Sequence, residues 1–141
     1  MKMLAGFLLL IGNFGCRAPV TINAGSEADF AQRVGNFPYV ASSTRQETIL
    51  ANYSKLRVGM SKPEVGALLG EPDYGELTRP GKFADPDGSC WKYHLYKAKK
   101  RWTNEEQDRL VYAFFDEAGK IYWIEPWNID GLVRVGQPVR E

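Results

Sequence analysis

Cysteine and histidine are scarce in this chain of 141 residues, which has two cysteines, Cys16 and Cys90, and a single histidine, His94. So few soft ligands argue against a structural zinc site, a histidine-based metal centre or a histidine-dependent triad. Charge of one sign is lacking too. Eighteen Lys and Arg stand against seventeen Asp and Glu, for a net charge of +1, which gives no strong field to draw in nucleic acid. Long apolar runs are also missing: the longest, Met3 to Ile11, is nine residues, where a helix crossing the hydrocarbon needs about twenty. What the chain does have is 44% hydrophobic and 13% aromatic residues. That is enough for a packed core and too much for a disordered chain. One small domain with no cofactor is the expectation.

Ten of the first fifteen residues are apolar. Lys2 supplies a positive start, the apolar run follows, and Gly12-Asn13-Phe14-Gly15 leads to Cys16, the anatomy of an export signal. Small Gly15 directly before Cys16 resembles the bacterial lipobox, which implies cleavage after residue 15 and acylation of Cys16. An ordinary secreted or periplasmic soluble protein, with Cys16 near its cut site, is the alternative. In that case Cys16 and Cys90 could pair in an oxidising compartment.

From Cys16 to Ser43 the chain is rich in Ala, Gly, Ser, Asn and Pro without sustained apolar periodicity, which reads as a tether. Phe30, Val34, Phe37, Tyr39 and Val40 are numerous enough that part of it is expected to lie against the domain. Ser43 or Thr44 is the expected cap of a helix reaching about Leu56, with Ile49, Leu50, Tyr53 and Leu56 on one side. Gly59 breaks the chain. Ser61-Lys62-Pro63-Glu64 then forms a capping box with proline in the first turn. Val65, Leu68 and Leu69 line a second helix, Lys62 to Leu69, which Gly70 and Pro72 end. Beyond Pro72 the period becomes two. A weaker strand is expected at Tyr74 to Thr78. Alternating strands follow at Trp91–Tyr96, Leu110–Phe115 and Ile121–Ile124, with Asp116-Glu117-Ala118-Gly119 turning a hairpin and Pro126 ending the last strand. The expected fold class is α+β: two N-terminal helices on one face of a three- or four-stranded antiparallel meander, a two-layer sandwich. The chain divides into a signal (1–15), a lipidated cysteine and tether (16–43), a domain (44–130) and a tail (131–141).

The segment Leu56-x-Val58-Gly59-Met60-Ser61, then Val65, Leu68-Leu69-Gly70-Glu71-Pro72 and a final Phe-x-Asp-x-x-Gly hairpin resembles the SmpA/OmlA (BamE-like) family of outer-membrane lipoproteins. The resemblance covers about Tyr53 to Ile124. Gly59, Met60, Ser61, Glu64, Gly70 and Pro72 carry it, and their roles there are structural. It implies a non-enzymatic lipoprotein at the periplasmic face of the outer membrane, acting as a binding or scaffolding module, with the barrel-assembly machinery or another envelope protein as partner. The helix-pair-plus-sheet unit also resembles the repeats of β-lactamase inhibitor proteins. That implies the alternative function, binding or inhibiting an extracytoplasmic enzyme through an aromatic sheet face. The loops 79–89 and 97–108 are longer than the family's compact pattern, and no partner- or lipid-binding residue carries over.

Candidate contact residues come from two further features. Lys97, Lys99, Lys100 and Arg101 precede Trp102, and Glu105, Glu106 and Asp108 follow closely. A solvated hairpin tip accounts for the charges, while a headgroup or partner contact with Trp102 as anchor is the sharper alternative. Ten of the eighteen aromatics lie between Trp91 and Trp127. Trp102, Trp127 and one strand face are therefore expected to stay exposed. His94 shares a strand face with Lys92 and Tyr96 and reads as a surface or edge histidine. Asp85-Pro86-Asp87-Gly88-Ser89 lacks the closing glutamate of a calcium loop and reads as a turn.

Overall fold

The computed structural model describes residues 24–102 and 106–138. The expected export signal and Cys16 lie outside them. Three helices, α1 (Glu27–Val34), α2 (Ser43–Tyr53) and α3 (Lys62–Leu69), accompany six strands: β1 (Tyr39–Val40), β2 (Tyr74–Thr78), β3 (Gly88–Lys97), β4 (Arg109–Asp116), β5 (Ile121–Trp127) and β6 (Val135–Gly136). The fold is α+β with one antiparallel sheet. Its centre is β3, ten residues long, with β4, β5 and β6 following on one side. On the other side β1 and β2 lie end to end: β2 pairs with Gly88–Lys92 and β1 with Tyr96 and Lys97.

The motif around α3 folds for the reasons its residues suggest. The Glu64 carboxylate accepts from the Ser61 backbone N–H at 2.7 Å and from its hydroxyl at 2.8 Å, satisfying an end donor of the helix. Gly59 sits at a φ of +90° and Gly70 at +81°, where a side chain would be strained. The Gly59 N–H donates to the Ile121 carbonyl and the Ile121 N–H to the Met60 carbonyl, both at 2.8 Å. The approach to α3 is therefore tied to the start of β5. Pro72 is buried at the exit. Ile49, Tyr53 and Leu56 join Val65 and Leu69 over Trp91, Tyr93, Leu95, Val111, Ala113, Phe115, Ile121 and Ile124 to form the main core.

Several expectations are corrected. The segment expected as a tether is folded from Glu27 onward: α1 packs on the sheet face opposite α2 and α3, through buried Phe30 and Ala31, and β1 joins the sheet beside β3. The sheet thus carries helices on both faces, and the two-helix, one-sided arrangement becomes, among the described residues, three helices and six strands. Ser42, not Ser43 or Thr44, caps α2 by accepting from the Arg45 N–H at 3.2 Å. That helix ends at Tyr53 rather than about Leu56. Pro126 does not end β5. Its position pairs with Val111, while β6 pairs only with Trp123 and Ile124, so β5 is an edge there and tolerates a missing N–H. The described part of the expected tail, 131–138, is also held: Leu132 and Val135 pack on the core, and the Val133 carbonyl accepts from the Tyr53 hydroxyl at 2.8 Å.

Candidate functional site

Three places bear on function: a buried polar cluster under α1, an aromatic stripe beyond it, and the loop carrying Trp102. The cluster starts from the interruption between β1 and β2. At that gap the His94 N–H has no strand opposite it, and the Asp73 carboxylate takes it at 2.5 Å. The Asp73 N–H donates to the Lys92 carbonyl at 2.9 Å, and the Ala41 N–H closes on the Leu95 carbonyl at 3.0 Å. Asp73 is thus the plug of the seam. Its other carboxylate oxygen holds Arg45 at 3.1 Å.

His94 corrects the expectation of a surface histidine. It is fully buried, in a triangle of rings with Phe30 at 5.8 Å and Tyr74 at 5.5 Å, themselves 5.6 Å apart. Neither ring nitrogen has a hydrogen-bond partner among the described residues, and the Nδ1 to Asp73 approach is 3.6 Å. Burial holds the His94 pKa below its ordinary value, outweighing the upward pull of Asp73. A histidine enclosed by rings, and absent from the lining of the cavity that Asp73 borders, lacks the access to solvent that a general base requires.

Lys97 and Asp108 correct the solvated-tip expectation in part, since both are fully buried. The bulge between His94 and Tyr96 resets the alternation of β3. Lys97 consequently reaches Glu27 of α1 at 3.2 Å, with Asp108 at 3.9 Å and the Trp102 carbonyl at 2.9 Å. Lys99, Lys100 and Arg101 remain exposed, and Trp102 is 81% exposed. The structure brings Lys100, Arg101 and Trp102 together with Glu27, Ala28, Ala31 and Gln32 around a groove of about 470 Å³. Trp127 is half-buried across from Leu110, at the same end of the sheet. Cys90 is a buried free thiol, its pKa pushed up to about 12 by burial. Among the described residues no group of three or more His, Cys, Asp or Glu could hold a metal, and no helix is long and apolar enough to cross a membrane.

The α1-side face continues past His94 as a ladder of rings. Tyr112 stacks on Phe114 at 5.9 Å, Phe114 on Trp123 at 4.4 Å, and Tyr122 tilts against Phe114 at 6.2 Å. Lys92 bridges β2 and β4, lying 5.1 Å from the Tyr74 ring and 5.8 Å from Tyr112, with Glu76 at 2.8 Å. The ring contacts of α1 with the sheet end at Tyr74 and His94. Tyr112, Phe114, Tyr122 and Trp123 therefore remain only half-buried. The aromatic strand face expected to stay exposed is thus partly covered. Comparison of the chain with family models, with curated proteins and with solved structures finds no match.

Proposed function

We propose that this chain is a non-enzymatic, lipid-anchored protein of the SmpA/OmlA type, held through Cys16 at the periplasmic face of the outer membrane. There it displays the Tyr112–Phe114–Trp123 ladder to an envelope protein. The ladder carries the reading: a row of partly exposed, stacked aromatics on a rigid sheet supplies large contact area at low entropic cost. Lys100, Arg101 and Trp102 form a second contact at the sheet end. The Gly59-Met60-Ser61 and Gly70-x-Pro72 motif supports the family assignment, and the leader ending in Gly15-Cys16 supports the anchor.

The test is cross-linking of the full chain in its native envelope, followed by identification of the captured proteins. Capture of barrel-assembly subunits, lost on Phe114→Ala and Trp123→Ala substitution, is the expected result. Capture of a hydrolase through the same residues supports the inhibitor reading instead, and capture indifferent to both substitutions removes the ladder from the role. Cys16→Ser is expected to move the protein out of the membrane fraction. Unchanged fractionation overturns the anchor.

A further inference from the structure

A second site stands apart from the aromatic ladder, at the seam between β1 and β2. Four elements meet there around a cavity of about 340 Å³: Arg33 from the last turn of α1, Tyr39 from β1, Arg45 from the first turn of α2, and the Glu71-Pro72-Asp73 approach to β2. Both guanidinium groups are fixed before any ligand arrives. One Arg33 nitrogen donates to the Asp73 carbonyl at 3.1 Å, and its guanidinium lies 5.5 Å from the Phe30 ring. One Arg45 nitrogen reaches the Glu71 carbonyl at 3.0 Å and the Asp73 carboxylate at 3.1 Å, with the Tyr93 ring 5.9 Å away.

These bonds leave donors over. Each guanidinium offers five N–H donors. The Arg45 Nε is shielded from solvent and has no hydrogen-bond partner among the described residues, an arrangement that is costly unless something accepts from it. Arg45 also stands in the first turn of α2, which has no acidic residue there, so at the positive end of the helix dipole its charge is met by Asp73 from outside the helix. Burial and the Asp73 charge raise the Tyr39 hydroxyl pKa above its ordinary value, against the opposing pull of Arg45 and Arg33. We propose that this cavity binds a monovalent carboxylate, gripped between Arg33 and Arg45.

Charge selects the class of anion. Two guanidiniums, those of exposed Arg33 and partly buried Arg45, face the buried Asp73 carboxylate and the exposed Glu71 at the rim, so the charges of the lining balance. A monoanion adds one negative charge to that balance, whereas a phosphate dianion would add two beside Asp73. Geometry agrees, since a planar carboxylate can place one oxygen on each planar fork. The carboxylate could come from a small organic acid or from the C-terminus of a peptide. The site does not depend on the anchoring or on the partner proposed above.

The experiment follows the Arg Nε–H resonances of the full, ¹⁵N-labelled chain in nonionic detergent during titration with four probes: acetate, a tripeptide with a free C-terminus, the same tripeptide as its amide, and inorganic phosphate. A saturable shift of the Arg45 Nε–H with acetate and with the tripeptide acid, but not with the amide, is the expected result. Tighter binding of the tripeptide identifies a chain terminus as the source, and equal binding identifies a small acid. Arg33→Gln, at an exposed position, is expected to weaken binding at least tenfold with an unchanged amide spectrum elsewhere, and Tyr39→Phe by less. No saturable shift, equal response to the amide, tighter binding of phosphate, or full affinity in Arg33→Gln each overturns the proposal.

Discussion

Asp73 and His94 meet twice, through the 2.5 Å bond from the His94 backbone N–H to the carboxylate and through the 3.6 Å approach of the imidazole to the same oxygen. The first contact repairs an interrupted strand pairing. The second sets a negative charge beside a ring that burial keeps neutral.

The pH dependence follows from that opposition. Burial depresses the folded-state pKa of His94 below its ordinary value of 6.5. Above that value both folded and unfolded states leave the ring neutral, and the full stability is present. As pH falls below it, the unfolded chain takes up the proton first. Stability then declines by up to about 1.4 kcal/mol per pH unit until the folded pKa is reached. Urea unfolding between pH 8 and pH 5 is expected to show this decline and to lose it in His94→Gln. An identical slope in that variant would refute the assignment.

Phe30 is the hinge pin of the α1 layer. Its ring lies 5.1 Å from Tyr39, 5.6 Å from Tyr74 and 5.8 Å from His94, and it is 1% exposed. Phe30→Ala is expected to cost about 3–5 kcal/mol. It should also raise the His94 pKa towards its ordinary value as water reaches the ring. Chemical denaturation and a histidine NMR titration check the two halves separately.

The Cys90 thiol, 1% exposed with a pKa pushed up to about 12 by burial, is inert in the folded state. In a Cys16→Ser chain at pH 8, a thiol-reactive dye is expected to label Cys90 at least about 100-fold more slowly than in concentrated guanidinium, because labelling must wait for the sheet to open. Comparable rates in the two conditions would contradict its burial.

Much of the architecture was legible where local chemistry and burial agree. The limits of α3 follow from Ser61, Glu64 and Gly70, and β2 occupies the five residues that its weak alternation marked. The α1 helix escaped because it buries only Phe30 and Ala31, too few for a periodic stripe. Its available signal was the capping pair Ser26 and Asp29, whose carboxylate accepts from the Ser26 N–H at 2.9 Å, with Gly35 closing the other end. Everything that depends on α1 was hidden with it, including the enclosure of His94. Lys97 was misplaced for another reason. Strict alternation has no place for the bulge before Tyr96, which turns that lysine to Glu27. The arginine pair could not be seen at all, since Arg33 and Arg45 are brought together only when α1 and α2 both dock on the approach to β2.

The end-to-end seating of β1 and β2 on one flank of β3 also divides the molecule by local stability. Only two residue pairs hold β1, against five for β2, and α1 buries two side chains. Residues 27–41 can therefore detach as a flap in a sub-global opening that leaves the β2–β5 meander and its α2–α3 cover intact. Arg33 and Tyr39 would leave with the flap, while Arg45 and Asp73 would stay behind. Native-state hydrogen exchange should then resolve two tiers of protection, with the seam as the boundary between them.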